Sequence, residues 1–180
     1  SIHGKYHAFT VMKDGPNKIE QITYGRSQTT EYGNLRFLID MYAQAKGIYS
    51  DALRPYVPMI GRTALTHNQA FIDLLMKAGK EDPVMAAVQD TFFDERYFLP
   101  AQKWATANGF TLPMSMLVIY DSYIQSGSIR DFLRARFAEK PPKSGGDEKA
   151  WITAYVKVRH HWLSTHSDQL LVNSSYRTRD

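Results

Sequence analysis

The sequence predicts a mainly α-helical (α+β) fold with a small β-hairpin near the N-terminus. Three observations carry this prediction. Apolar residues recur at helical spacing along most of the chain from residue 35 onward. Prolines at positions that favour helix starts precede two of these segments. Only residues 5–29 lack a helical period. The 180 residues suit one domain, and we find no internal repeat.

The N-terminal part of the chain predicts two short strands. They are the segments KYHAFTVMKDG and IEQITYG, which are rich in β-branched and aromatic residues. Between them, Asp-Gly-Pro-Asn at Asp14 to Asn17 is typical of a turn. We therefore expect an antiparallel hairpin around this turn.

Helical segments follow in order. The first has apolar residues at i, i+3, i+4 and i+7, with Gly47 as its predicted end, and the second repeats that spacing and is predicted to end at Gly79. Asp82 is the predicted N-cap of a third helix that starts at Pro83 and runs through Phe92 toward Phe98. The apolar residues of the first two are Leu35, Leu38, Ile39 and Tyr42, then Phe71, Leu74, Leu75 and Ala78.

Two further helices are predicted in the second half. Pro113 begins the segment PMSMLVIYDSYI, which is apolar on nearly all sides, and we expect it at the buried centre of the domain. The loop EKPPKSGGDE precedes a further helix. Asp147 and Glu148 lie at the start of that helix, where their negative charges interact favourably with the positive end of the helix dipole. That helix has an apolar stripe of Trp151, Tyr155, Val158 and Trp162, with Arg159 beside it.

Composition excludes several classes of protein. Cysteine is absent, so disulfides and thiolate metal sites are excluded, and no apolar run approaches the roughly 20 residues of a membrane span. The net charge of +4 favours anionic partners weakly, but no helix-turn-helix spacing, RNP-like run or Gly-rich phosphate loop supports nucleic-acid binding. The chain starts at Ser1 without Met or a signal peptide, and we expect it to be cut from a longer protein.

Asp14 and Thr23 are the first candidates for chemistry, and each has two interpretations. Asp14 is either a turn residue that bonds nearby amides or a catalytic carboxylate at the rim of a cleft. Thr23 is either an ordinary strand residue or a hydroxyl that holds a water near Asp14, with Gly25 allowing close approach of backbone or substrate. Asn34 is either the cap of the helix that follows it or an amide that reaches into a cleft.

Asp121 lies in an apolar helix, where an unpaired carboxylate is costly, and Arg159 is its best candidate partner. That pair is either purely structural or part of a functional network. The histidines, among them His3 with His7 and His160, His161 and His166, complete no metal-binding pattern, so we expect no metal or other cofactor. A Ser-His-Asp triad is unsupported because no Gly-x-Ser-x-Gly motif is present.

Four separated segments together resemble the glycoside hydrolase family 46 chitosanases of the lysozyme superfamily, over nearly the whole chain. They are KYHAFTVMKDG, ITYGRSQTT, IYDSYIQSGS and SGGDEKAWITAYVKVRHHWL, in that order and spacing. The resemblance implies one lysozyme-like, two-lobed glycosidase domain over residues 1–180, whose polar N-terminal stretch lines the substrate cleft. The general acid would be a Glu upstream of Ser1, on a helix missing from this chain, and a chain without it should be inactive.

The resemblance also assigns roles to residues. It implies Asp14 as the general base, Thr23 as the residue that orients the attacking water, and Asp121 with Arg159 as a network behind the acid. The Asp-to-Thr interval is several residues longer here than in the family. Residues of the polar stretch would contact substrate, namely Tyr24, Arg26, Gln28 and Asn34.

Asn34 stands where chitosanases have an Asp that binds the cationic amino sugar, and this bears on substrate. A neutral Asn and a net charge of +4 both oppose binding of polycationic chitosan. We therefore expect hydrolysis of the glycan strands of peptidoglycan by two-carboxylate catalysis. The arrangement is similar to the C-terminal effector domain of an evolved VgrG spike protein of type VI secretion. The protein would then be secreted, act in the periplasm of a target cell and have a cognate immunity protein as partner.

Two alternatives stay open at this point. One is a secreted chitosanase that hydrolyses chitosan. The other is a non-catalytic glycan-binding module that kept the fold and lost the acid.

Overall fold

A computed structural model describes residues 4–178. The chain forms two compact units, which follow one another in sequence at Phe93 and Asp94. The first unit contains the sheet and four helices, and the second is helical in its described part. The mainly helical fold with a small antiparallel sheet is as predicted. No described helix is long and apolar enough to cross a bilayer.

The sheet has three antiparallel strands: β1 (Phe9–Met12), β2 (Gln21–Tyr24) and β3 (Thr29–Thr30). The first two strands confirm the predicted hairpin. The two-residue β3 was not predicted, because so short a segment shows no alternation of side chains. Thr23 lies opposite Thr10 on one side and opposite Thr30 on the other, so β2 is the central strand.

The connection between β1 and β2 is longer than the predicted turn at Asp14 to Asn17. A 3₁₀ turn spans Pro16–Lys18, and both Asn17 and Lys18 have positive φ, at 55° and 60°. The Gly15 amide donates to the Ile19 carbonyl oxygen at 3.1 Å, which closes the loop. The prediction was too short because Asn17 and Lys18 both adopt left-handed conformations, which side chains other than Gly seldom favour.

The helices of the first unit pack behind the sheet around a core that includes Leu38, Tyr42 and Phe71. Their bounds are α1 (Leu35–Gln44), α2 (Ser50–Leu53), α3 (Gln69–Glu81) and α4 (Pro83–Phe93), with a 3₁₀ turn at Arg54–Tyr56.

The predicted helix ends at Gly47 and Gly79 were wrong. Helix α1 ends at Gln44, before Gly47, and α3 continues through Gly79 to Glu81. A Cβ on Gly79 would lie 2.5 Å from the Tyr6 carbonyl oxygen and 2.6 Å from the Tyr24 hydroxyl. Gly79 therefore serves close packing and does not end the helix.

Asp82 caps α4 as predicted, since its Oδ1 accepts from the Val84 amide at 2.9 Å. The helix ends at Phe93, earlier than the predicted run toward Phe98. A π-helical turn at Asp94–Phe98 follows, and then a new helix begins. The change of hydrogen-bond pattern explains the early end, and sequence periodicity alone does not predict a π turn.

The second unit contains α5 (Leu99–Ala107), α6 (Pro113–Ser126), α7 (Asp131–Arg134), α8 (Glu148–Ser164) and α9 (Gln169–Asn173). Short 3₁₀ turns lie at Pro142–Ser144 and Ser174–Thr178. Its core is aromatic: Trp104, Phe110, Phe137 and Tyr155 all contact the fully buried Trp151.

Helix α6 is less buried than the sequence predicted. Ile119 and Tyr123 lie in the core, but Met114 is 64% exposed and Leu117 is 58% exposed. On α8 the stripe is formed by Trp151, Tyr155 and Leu163, while Val158 and Trp162 are partly buried. The helical spacing was therefore predicted well, and the degree of burial was not.

Candidate active site

Asp14 lies two residues beyond the end of β1, at the start of the long connection to β2. Its side chain is partly buried, and its Oδ1 accepts a hydrogen bond from Gln21 Nε2 at 2.9 Å. Gln21 is the first residue of β2 and is 5% exposed. The predicted base is thus a loop carboxylate with a partner on the sheet, an interaction that the turn interpretation did not include.

Gln21 also accepts a hydrogen bond from the Tyr32 amide, at 3.2 Å to its Oε1. The Tyr32 ring lies beside the loop of Asp14, because a Cβ on Gly15 would be 3.2 Å from Tyr32 Cδ2. Gln21 therefore connects the Asp14 loop with the segment that follows β3. Sequence reasoning missed Gln21, although strand alternation places it on the same face as Thr23.

Thr23 occupies the centre of the sheet and is 7% exposed. Its hydroxyl is buried and has no hydrogen-bond partner among the described residues. A hydroxyl closed off from solvent does not hold a water in this conformation. The predicted water-orienting role of Thr23 therefore gains no support from the geometry.

The side chain of Tyr24 is fully buried, and its hydroxyl donates to the Leu75 carbonyl oxygen at 2.7 Å. Burial raises the pKa of this phenol further above its already high usual value. The prediction that Tyr24 contacts substrate was wrong, because the strand turns this residue into the core. At Gly25 the close neighbour is a side chain of the protein, since a Cβ there would be 2.5 Å from Gln89 Oε1.

Arg26 is partly exposed and pairs with Asp90. Its guanidinium also lies 5.8 Å from the centroid of the Tyr6 ring and 5.9 Å from that of Phe93. These contacts fix Arg26 on the surface of the first unit. Gln28 is exposed in the β2–β3 turn with φ of 54°. The predicted contact of these two residues with substrate remains a prediction.

Asn34 occupies the N-cap position of α1, and its carbonyl oxygen accepts from the Leu38 amide at 3.1 Å. Its side chain makes no capping hydrogen bond and is partly buried. The position was therefore predicted correctly, but the amide is not used as a cap. The second interpretation, in which the amide reaches into a cleft, remains a prediction.

Glu31 is a buried carboxyl that sequence reasoning missed. It is 2% exposed, and its Oε2 accepts from the Ile22 amide at 3.1 Å. Burial raises its pKa, against the opposing effect of backbone hydrogen bonds. The signal was weak, because a single Glu after two threonines is typical of a solvated loop.

In the second unit the predicted ion pair is confirmed. Arg159 Nη2 donates to Asp121 Oδ2 at 2.7 Å, and Arg159 is 2% exposed. The same guanidinium nitrogen also donates to Gln125. A fully buried guanidinium thus depends on one carboxylate and one amide oxygen on α6.

Arg177 joins this pair, and no sequence pattern predicts its role. Its Nε and Nη2 donate to Asp121 Oδ1 at 2.9 and 2.6 Å. One carboxylate therefore serves two arginines. They line a groove of about 770 Å³ whose other walls include Met114, Leu117, Ile152 and Val156.

Within residues 4–178 no three His, Asp or Glu side chains are grouped as metal ligands. His160 Nδ1 contacts Thr178 Oγ1 at 2.8 Å, and His166 Nδ1 accepts from the Asp168 amide at 2.9 Å. His3 lies outside the described residues.

The sheet, its carboxylate-bearing loop and the helical frame define a fold that comparison with known proteins identifies. Residues 3–179 match the family model described as Glycosyl hydrolase family 46. The chain therefore belongs to glycosyl hydrolase family 46.

Similar proteins include a chitosanase. A chitosanase of Bacillus subtilis (strain 168) is 29% identical over an alignment 172 residues long, which covers 88% of this chain. The match covers 59% of that relative, so the chain spans less than two thirds of its length.

Solved structures share the fold. The family 46 chitosanase of Gynuella sunshinyii, in complex with chitotetraose, superposes with a TM-score of 0.75 at 23% identity. The native chitosanase of Bacillus subtilis MY002 gives 0.74 at 21% identity. Each alignment covers 98% of this chain and 76% of the other.

Proposed function

We propose that this protein is a glycoside hydrolase that cleaves chitosan or a closely related polymer of amino sugars. The observation that carries the proposal is the placement of Asp14, on a loop after β1 and bonded to Gln21, in a chain whose family relatives include chitosanases. A carboxylate on a loop beside a fixed sheet is suited to activate a water molecule.

The proposed reaction uses two carboxyl groups. One, in its acid form, protonates the glycosidic oxygen of the leaving sugar, while Asp14 removes a proton from the water that attacks the anomeric carbon from the opposite face. Family resemblance assigns the acid to a Glu upstream of Ser1. Since the Thr23 hydroxyl is buried, we assign activation of the water to Asp14 without it.

Asp121, Arg159 and Arg177 are proposed to act as an electrostatic support in this reaction. Two guanidinium groups share one carboxylate, so the cluster has a net positive charge of one. By family resemblance this cluster would lie behind the general acid. A positive charge there would stabilise the carboxylate that remains after the acid has donated its proton.

Cleavage of peptidoglycan is a second candidate, because a neutral Asn34 replaces the family's Asp. The charge argument for this candidate is weaker than the total of +4 suggests. Residues 1–93, which carry Asp14 and Asn34, have ten Lys and Arg against nine Asp and Glu, while residues 94–180 have twelve against nine. Delivery into a rival's periplasm and a cognate immunity protein belong to this second candidate.

The test measures release of reducing ends from chitosan and from purified cell-wall sacculi by the protein as its gene encodes it. We expect faster release from chitosan. Faster release from sacculi would favour the second candidate. Release from neither polymer, with binding to either, would favour a non-catalytic glycan-binding module.

A further inference from the structure

Gln21 occupies an unusual place for a polar side chain. It is 5% exposed, and both ends of its amide are used: Oε1 accepts from the Tyr32 amide at 3.2 Å and Nε2 donates to Asp14 Oδ1 at 2.9 Å. A backbone N–H can only donate, so the amide oxygen must face Tyr32. The NH₂ group must then face Asp14.

The bond from Gln21 gives the two Asp14 oxygens different roles. Oδ1 is fixed by a donor on a paired strand, and Oδ2 is the oxygen with which the carboxylate would remove the proton from water. A loop carboxylate without such a bond would rotate among several orientations, and only some of these suit proton removal.

The backbone on either side of Gln21 is also fixed. Met12 pairs with Gln21 across the strands, and the next residue, Ile22, donates its amide to the buried Glu31 carboxylate at 3.1 Å. Glu31 precedes Tyr32, so two neighbouring residues of β2 are bonded to two neighbouring residues after β3. This double connection places the Gln21 amide with little freedom.

We propose that Gln21 is the positioning residue of the general base: its amide orients the Asp14 carboxylate so that it can remove a proton from the attacking water. This inference rests on the proposed function. It adds a residue that acts through Asp14 and does not itself touch the reacting atoms.

The test separates the two hydrogen bonds of Gln21. Gln21→Glu keeps an oxygen to accept from the Tyr32 amide but replaces the donor that faces Asp14, whereas Gln21→Met removes both bonds at similar length. Hydrolysis of chitosan is measured at neutral pH for the wild-type protein as its gene encodes it and for both variants made in that protein. Thr10→Ser, on the same face of the sheet, is the matched control, and thermal unfolding checks that each variant folds.

We expect Gln21→Glu to lower kcat about 10- to 100-fold with KM changed less than about twofold, because orientation of the base matters in the chemical step. Gln21→Met should lose at least as much kcat, and Thr10→Ser should match the wild type. A general loosening of the sheet would instead raise KM and lower the unfolding temperature in both Gln21 variants.

Two outcomes would overturn the inference. Wild-type kcat in a folded Gln21→Glu variant, together with an inactive Asp14→Asn variant, would contradict it and leave the proposed function standing. Full activity in Asp14→Asn, or no hydrolysis by the wild type, would overturn the proposed function and this inference with it.

Discussion

Replacing Asp121 with Ala should strongly destabilise the second unit. Arg159 is 2% exposed, and the substitution removes its carboxylate partner while its hydrogen bond to the Gln125 amide oxygen remains. Removal of one partner from a buried ion pair costs about 3–5 kcal/mol, because the other charge stays in a poorly solvated site. Arg177 loses the same carboxylate, but its side chain is 28% exposed. The loss of this second ion pair therefore adds little to the destabilisation.

Tryptophan fluorescence is the suitable assay. All three tryptophans, Trp104, Trp151 and Trp162, lie in the second unit, so their signal reports the unit that contains Asp121. With a urea m-value of about 1–3 kcal/mol/M, the expected loss lowers the unfolding midpoint by at least about 1 M.

Two further variants make this prediction sharper. Arg177→Met should lower the midpoint much less, because it removes a partly exposed partner. Adding Arg159→Met to Asp121→Ala should restore part of the lost stability, since no buried charge then remains. An Asp121→Ala midpoint within about 0.3 M of the wild type would refute the reasoning, because it corresponds to under about 1 kcal/mol.

Two other predictions concern the first unit. Asn34→Asp should raise activity on chitosan relative to sacculi, because the new carboxylate gains a charge-assisted hydrogen bond to an amino sugar, worth about 1.5–3 kcal/mol. An unchanged ratio of the two activities would exclude contact between residue 34 and the sugar. Burial raises the pKa of Glu31, so the stability that its protonated form contributes is lost as pH rises through the folded pKa. Hydrogen exchange at the Ile22 amide, which donates to Glu31, should therefore become faster above that pH, after correction for intrinsic exchange rates. Glu31→Gln should remove this dependence on pH, and an identical pH profile in the two proteins would contradict it.

The sequence predicted those features that depend on local pattern. The hairpin around Asp14, the start of α4 at Asp82-Pro83 and the helix that carries Arg159 follow from turn residues, capping residues and apolar spacing. The ion pair of Asp121 with Arg159 was also predictable, because a carboxylate in an otherwise apolar helix needs a cation.

Features that depend on contacts between distant segments were not predictable in this way. In sequence, Gly79 is typical of a helix end, but in the structure it allows close packing of the helix against the Tyr6 and Tyr24 side of the sheet. Tyr24 lies in a polar stretch of sequence, which suggests a surface residue, but its side chain is in the core. Gln21, Glu31 and Arg177 are ordinary polar residues in sequence. Their roles follow from partners that the fold brings close.

Asp14 is proposed here as the general base of a chitosan-cleaving enzyme. The most direct measurement is kcat for chitosan hydrolysis by Asp14→Asn and by the wild type, together with the binding of a chitosan oligosaccharide to each. We expect a loss of about 10²- to 10⁴-fold in kcat with binding and unfolding temperature nearly unchanged, because a loop amide of the same shape replaces the base without disturbing the core. Wild-type turnover in the Asn variant would contradict it.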